Sequence, residues 1–297
     1  LLGFVLLLVA LERLSQGRAR FHNTTGRHRP QGGRHLSGMA AGLAVAVCLT
    51  PVTIGFLLPG GLLLRMALDD GDATFGETFF RLAGNSFVLA GLTAALAVVL
   101  AVLLAYAARL SKGIVPRLLN RLVGLGYAVP GSVIAVGVLI PVTRLDNWLS
   151  GQWQNLFGVN PGLWLTGGIA ALIYAYLVRF LAVALQSVTA SLSKLTPTMD
   201  EAARSLGSTP TEALRRVHLP ILRGSLLTAG LLVFVDVMKE LPATLVMRPF
   251  DFDTLATQAY TLASDERLSE AATASLAIVA VGLLPLIALS RQLARRR

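Results

Sequence analysis

Six apolar stretches, at roughly 39–66, 86–108, 122–142, 163–186, 225–247 and 271–290, dominate this chain. A helix rising about 1.5 Å per residue needs about 20 apolar residues to cross about 30 Å of hydrocarbon, and each stretch reaches that length. Inside a bilayer the backbone must satisfy its own hydrogen bonds, which a helix does within one segment. The expected fold is an all-α, polytopic membrane protein with six transmembrane helices. Composition excludes the soluble alternative: 54% of the 297 residues are hydrophobic and only 14% are charged, well below the roughly 25% that covers a water-soluble domain.

A net charge of +10 would point to nucleic acid on a soluble protein. Here 19 of the 26 Lys and Arg fall in alternate inter-span segments, in keeping with the positive-inside bias of membrane proteins. Arg13, Arg18, Arg20, Arg27, Arg29 and Arg34 precede the first span, and Arg109, Lys112, Arg117 and Arg121 follow the second. Lys194, Arg204, Arg215, Arg216 and Arg223 follow the fourth, and Arg291 and Arg295 to Arg297 end the chain. The intervening segments carry Asp69, Asp70, Asp72 and Glu77, then Asp146, then Asp251, Asp253, Asp265, Glu266 and Glu270. Both termini are therefore expected in the cytoplasm, with the lipid bilayer and no nucleic acid as partner.

Residues 1–11 are apolar but too short to span, and Arg13, Arg18 and Arg20 follow rather than precede them. They read as the stump of an upstream transmembrane helix, not as a signal peptide. Residues 12–38, rich in Arg, Gly and His without apolar periodicity, read as a basic cytoplasmic linker. The spacing of His22, His28 and His35 matches no compact metal site, and the single cysteine, Cys48, lies in an apolar run. No permanently bound metal, cofactor or intrachain disulfide is expected. The sequence holds no glycine-rich phosphate loop, no His-Glu-x-x-His and no Gly-x-Ser-x-Gly element, so the chain is not expected to be an enzyme.

The segment before the fifth span has the punctuation of two short helices. Thr198 and Glu201 read as a capping box, and Gly207 as a left-handed stop. Thr209, Pro210 and Glu212 read as the start of a second helix that stops before Pro220. Ala202, Ala203 and Leu206 give the first helix a small apolar face, and Leu214, Val217 and Leu219 do so for the second. Such faces fit equally a docking surface for a soluble partner and an amphipathic hairpin lying on the membrane.

Glu201-Ala202-Ala203, then Gly207 after three intervening residues, Val217 after nine more and Leu219-Pro220 after one more resemble the EAA loop of ABC-importer permeases. Val217 stands where isoleucine is commoner. The resemblance implies a type I importer permease fold in which 194–224 is the coupling loop. Glu201, Ala202, Ala203, Gly207, Leu219 and Pro220 would then couple to a cytoplasmic ABC ATPase dimer, which would hydrolyse the ATP.

The fifth span carries Asp236, Lys239 and Glu240, whose spacings of three and four would put them on one helical face. An ionisable group at mid-bilayer costs about 2.5–3.5 kcal/mol, so these should point into the bundle. Pro242 should kink the helix beside them. They read either as a cation-attracting part of the translocation pathway or as packing: an Asp236–Lys239 ion pair, with Glu240 answered by Arg179 or a headgroup.

The run Lys239-Glu240-Leu241-Pro242-Ala243-Thr244-Leu245, Arg248-Pro249-Phe250 and Phe252-Asp253-Thr254-Leu255-Ala256-Thr257 is similar to the ferric-iron ABC permease family. Asn85-Ser86 and Pro130-Gly131 share in the likeness, which covers about 80–290. It implies a six-helix permease domain at 39–297, the second half of a doubled chain, in the bacterial inner membrane. A periplasmic substrate-binding protein and a second permease half, upstream or in a partner copy, would complete the importer. Asp236, Lys239, Glu240 and Pro242 would border the path. Ferric iron prefers oxygen ligands, and the acidic segments suit it; they suit spermidine or thiamine as well. From another class, an ion-coupled secondary transporter would need symmetry-related repeats, which are not visible, and would leave the loop pattern unexplained.

Overall fold

A computed structural model describes residues 36–69, 76–111 and 113–294. All regular elements among these are helical. The expected stump over 1–11 and nearly all of the linker over 12–38 lie outside the described residues. The chain divides into two compact units, one ending at Arg65 and the other starting at Met66.

Helix α1 (Gly38–Asp69) runs for 32 residues and widens into a π turn over Thr53–Leu57. The π turn ends two residues before Pro59. A proline lacks the amide that its helical position would donate and its ring crowds the carbonyl four residues back, and a locally wider turn relieves both.

The second unit comprises α2 (Glu77–Leu110), α3 (Ile114–Leu125), α4 (Gly131–Phe157), α5 (Ala170–Leu192), α6 (Pro197–Ser205), α7 (Pro210–Met238), α8 (Pro242–Met247), α9 (Leu255–Ser264) and α10 (Leu268–Ala294). Five helices, α1, α2, α4, α5 and α7, are long and apolar enough to cross a membrane, and α10 holds a shorter apolar stretch over Leu268–Leu283. All six expected spans thus fall on helices, with three shifts.

The third span does not run over 122–142. The helical path breaks at Gly126–Ala128 and Pro130, because proline pushes the preceding Val129 into extended conformation (ψ 132°). The fourth begins at Ala170 rather than 163, since the backbone just before it is committed to Asp146. That carboxylate accepts from the amides of Trp164 (2.8 Å), Leu165 (3.0 Å) and Thr166 (2.8 Å) and from the Thr166 hydroxyl (2.8 Å). Asp146 is therefore a buried clamp inside α4 and not an exposed loop charge. The fifth span stops at Met238, short of 247.

At the centre, α2, α5 and α7 pack on one another. Ala90, Ala97 and Ala101 of α2, Ala184 of α5 and Ala229 of α7 are fully buried there. Side chains this small let helix backbones approach closely, the main source of helix association where lipid offers no hydrophobic driving force. Large residues such as Leu92, Leu96 and Leu103 of α2 stay exposed, as a helix apolar all round does in a bilayer.

Candidate functional site

Between α5 and the body of α7 lies a hairpin. α6 begins two residues earlier than Thr198 would cap it: Thr196 is the N-cap and Pro197 the first helical residue. Thr198 consequently sits within the first turn, where its hydroxyl meets that of Thr196 at 2.8 Å, and the Thr198–Glu201 capping box does not form. At the other end Gly207 adopts φ +81°. Its amide reaches the Arg204 carbonyl (2.9 Å) and that of Ser208 the Ala203 carbonyl (3.0 Å), the paired bonds of a Schellman stop.

α7 then opens on the expected capping box, with the Thr209 amide donating to Glu212 Oε2 (2.9 Å) and the Glu212 amide to Thr209 Oγ1 (3.3 Å). It does not stop before Pro220. A π turn over Leu214–His218 precedes that proline by the same two residues as in α1, so the helix passes through. Glu201, Ala202, Gly207 and Pro220 are exposed, Leu219 is half-buried and Ala203 is buried. At the tip, Leu206 is 86% exposed.

The groups that hold this hairpin carry no motif that marks them in the sequence. Asp200, next to Glu201, accepts from Arg109 Nε of α2 at 2.9 Å and meets His218 Nε2 of α7 at 2.7 Å. Arg109 also donates to the carbonyls of Leu192 (2.8 Å), Leu195 (3.1 Å) and Thr196 (3.3 Å). The Leu192 carbonyl, at the end of α5, also accepts the Leu195 amide (3.1 Å). The ring of His218, itself fully buried, lies 5.6 Å from that of Tyr106, whose hydroxyl donates to the Pro210 carbonyl at 2.8 Å. Burial pushes the Asp200 carboxyl up, but the hydrogen bonds from Arg109 and His218, aided by their charges, outweigh it and hold the group below the usual carboxylate range. Its folded value is thus depressed, so its contribution to stability is present at neutral pH and lost only as pH falls through that lowered value.

The second interruption follows α7. Because the helix ends at Met238, Asp236, Lys239 and Glu240 do not share one face. Lys239 Nζ, on a side chain 59% exposed, pairs with Asp236 Oδ1 at 2.9 Å. Glu240, only 6% exposed, receives Arg179 Nη1 of α5 at 2.7 Å. Its Oε1 also accepts the Ala243 amide (3.2 Å), and its carbonyl accepts the Thr244 hydroxyl (2.7 Å), which lies 2.5 Å from that of Tyr176.

Pro242 does not kink a continuous helix; it occupies the first position of a new one, α8, where a missing amide costs nothing. Gly131 faces the pair so closely that a Cβ there would collide with the guanidinium and carboxylate ends. Both ion pairs of the packing reading are therefore present.

Asn85 and Ser86 hold the segment that enters α9. Asn85 Nδ2 donates to the Asp253 carbonyl, and the Leu255 amide donates to Ser86 Oγ, each at 2.9 Å. Thr254 and Thr257 cap α9 reciprocally, and Arg248 pairs with Asp253. Among the described residues no group of three or more His, Cys, Asp or Glu is placed to hold a metal ion.

Residues 97–297 match the family of binding-protein-dependent transport system inner membrane components. The chain is 30% identical over 213 residues to the Fe(3+)-transport system permease protein FbpB 2 of Haemophilus influenzae, covering 72% of this chain and 39% of that one. It is 26% identical over 164 residues to the putative 2-aminoethylphosphonate transport system permease protein PhnV of Salmonella typhimurium, covering 55% of this chain and 56% of that one. It thus spans less than two thirds of either relative. In fold it is similar to a chain of a bacterial ABC transporter that imports the acidic polysaccharide alginate, with a TM-score of 0.61 at 18% identity, over 86% of this chain and 96% of that one. The chain is thus an all-α, polytopic membrane protein and belongs to the family of binding-protein-dependent transport system inner membrane components.

Proposed function

We propose that this chain is the membrane permease of an ATP-driven importer of ferric iron delivered by a periplasmic binding protein. The observation that carries the cargo is the 30% identity with a ferric permease over 72% of this chain. In this reading Glu201, Ala202, Ala203, Gly207, Leu219 and Pro220 couple the chain to a cytoplasmic ATPase dimer, and Asp236, Lys239, Glu240 and Pro242 border the path. Both termini of this segment lie in the cytoplasm, residues 39–297 form one six-helix half, and the other half lies upstream or in a partner copy. ATP-driven closure of the ATPases pulls on the hairpin, a rigid capped element that exposes Glu201, Ala202 and Leu206. The pull reaches α5, which carries Arg179, and α7, whose end leads into Glu240, so the pair can part as the path opens.

The likeness to a 2-aminoethylphosphonate permease favours a second cargo, an anionic phosphonate that Arg179 would attract. Other cations, thiamine or spermidine, remain within the same transport class. The test is reconstitution of the full-length permease with its ATPase and binding protein in proteoliposomes. ATP-dependent accumulation of radiolabelled ferric iron, unaffected by excess phosphonate, is expected. Phosphonate uptake without iron uptake contradicts the cargo, and uptake driven by an ion gradient without ATP contradicts the whole reading.

A further inference from the structure

We propose that Arg109 is a positioning residue that clamps the hairpin to the ends of α2 and α5, so that displacement of the hairpin reaches both helices as movement of one body. The proposal rests on the reading of the hairpin as the ATPase contact. α6 has only 9 residues, too few to hold its own helical form or orientation in water. Among its described side chains only Ala203 is buried, and a methyl group cannot fix the direction of a helix. Asp200 is the group of α6 that reaches into the body of the protein, and Arg109 meets it.

The guanidinium is well matched to this task. Its Nε faces Asp200 while Nη1 and Nη2 face the carbonyls of Leu192, Leu195 and Thr196. A planar fork of fixed donors spans α6 and the end of α5 at once, which a single ammonium does not. Tyr106 lies three residues before Arg109, on the same face of α2, and holds the Pro210 carbonyl at the start of α7. One helix face thus grips both arms of the hairpin, while Glu201, Ala202 and Leu206 stay exposed for a partner.

The test uses the full-length permease in proteoliposomes with its ATPase and binding protein, read as iron taken up per ATP hydrolysed. If the wild type moves no iron, the readout is stimulation of ATP hydrolysis by the binding protein. Copurification of the ATPase reports assembly. Arg109→Lys keeps the charge but not the fork, and the clamp predicts a drop of about tenfold with the ATPase still bound. Asp200→Asn keeps the shape and one acceptor, and a smaller drop is expected. A wild-type ratio in Arg109→Lys overturns the proposal, because charge alone then suffices. Loss of the assembled complex in both variants also overturns it, since the cluster then serves folding only. Gly207→Val separates the two levels: if it too leaves the ratio unchanged, the coupling reading itself fails, whereas uncoupling by Gly207→Val alone removes only the clamp.

Discussion

Arg109 and Arg179 each meet a carboxylate where the helical path is interrupted, at 2.8 Å from Asp200 and 2.7 Å from Glu240. Around Arg109 every nitrogen of the fork has an acceptor, and three of those acceptors are backbone carbonyls. Around Arg179 the Nε is buried with no hydrogen-bond partner among the described residues, and the pair is pressed against Gly131. The same chemistry therefore makes two kinds of joint. A saturated fork anchored to backbone is a rigid joint, suited to carrying force. An under-satisfied pair costs more to keep closed and exchanges its partners more readily, which suits the opening for cargo proposed above.

Substitutions at the second joint give the largest expected effects. Arg179→Met strands the buried Glu240 carboxylate and should destabilise the protein by about 3–5 kcal/mol. Adding Glu240→Gln should recover most of that loss, since no unpaired charge then remains. Thermal unfolding of the purified single and double variants measures this, and equal melting of the two would show that the pair is not what the node depends on. Gly131→Ala should cost less, about 1–3 kcal/mol, because the new methyl meets the movable ends of two side chains rather than backbone. It should still open the pair and depress transport; an unaltered melting temperature together with full uptake would remove the close approach from the account. The smallest effect belongs to the first joint, where Thr209→Ala removes the cap of α7 for about 1 kcal/mol. Its melting shift should be slight because Arg109 and Tyr106 still hold the hairpin, and a shift as large as that of Gly131→Ala would mean that the cap, not the fork, anchors it.

Much of this was legible in the chain. Long apolar runs fix helices in lipid whatever their neighbours, and the stop at Gly207 and the cap at Thr209 are local rules that tertiary contacts did not override. Several of the misplacements share one cause, namely polar groups whose partners lie far off in sequence. Asp146 reads as a loop charge until the amides of Trp164, Leu165 and Thr166 come to it. Asp236, Lys239 and Glu240 read as one helical face because the break after Met238 depends on Arg179 drawing Glu240 inward, 61 residues away. Pro220 reads as a stop because periodicity holds no sign of a π turn that lets a helix pass a proline. Arg109 counted only toward the basic segments, since nothing local ties it to Asp200, 91 residues on.

The central claim is that the α6–α7 hairpin faces the cytoplasm and seats against an ATPase. Leu206 at its tip is 86% exposed, and the single cysteine, Cys48, is also exposed and must first be replaced. In a Cys48→Ser, Leu206→Cys variant, a membrane-impermeant maleimide should label inside-out vesicles and spare right-side-out ones, and bound ATPase should block the reaction. Labelling of right-side-out vesicles, or labelling that bound ATPase leaves unchanged, would contradict the claim.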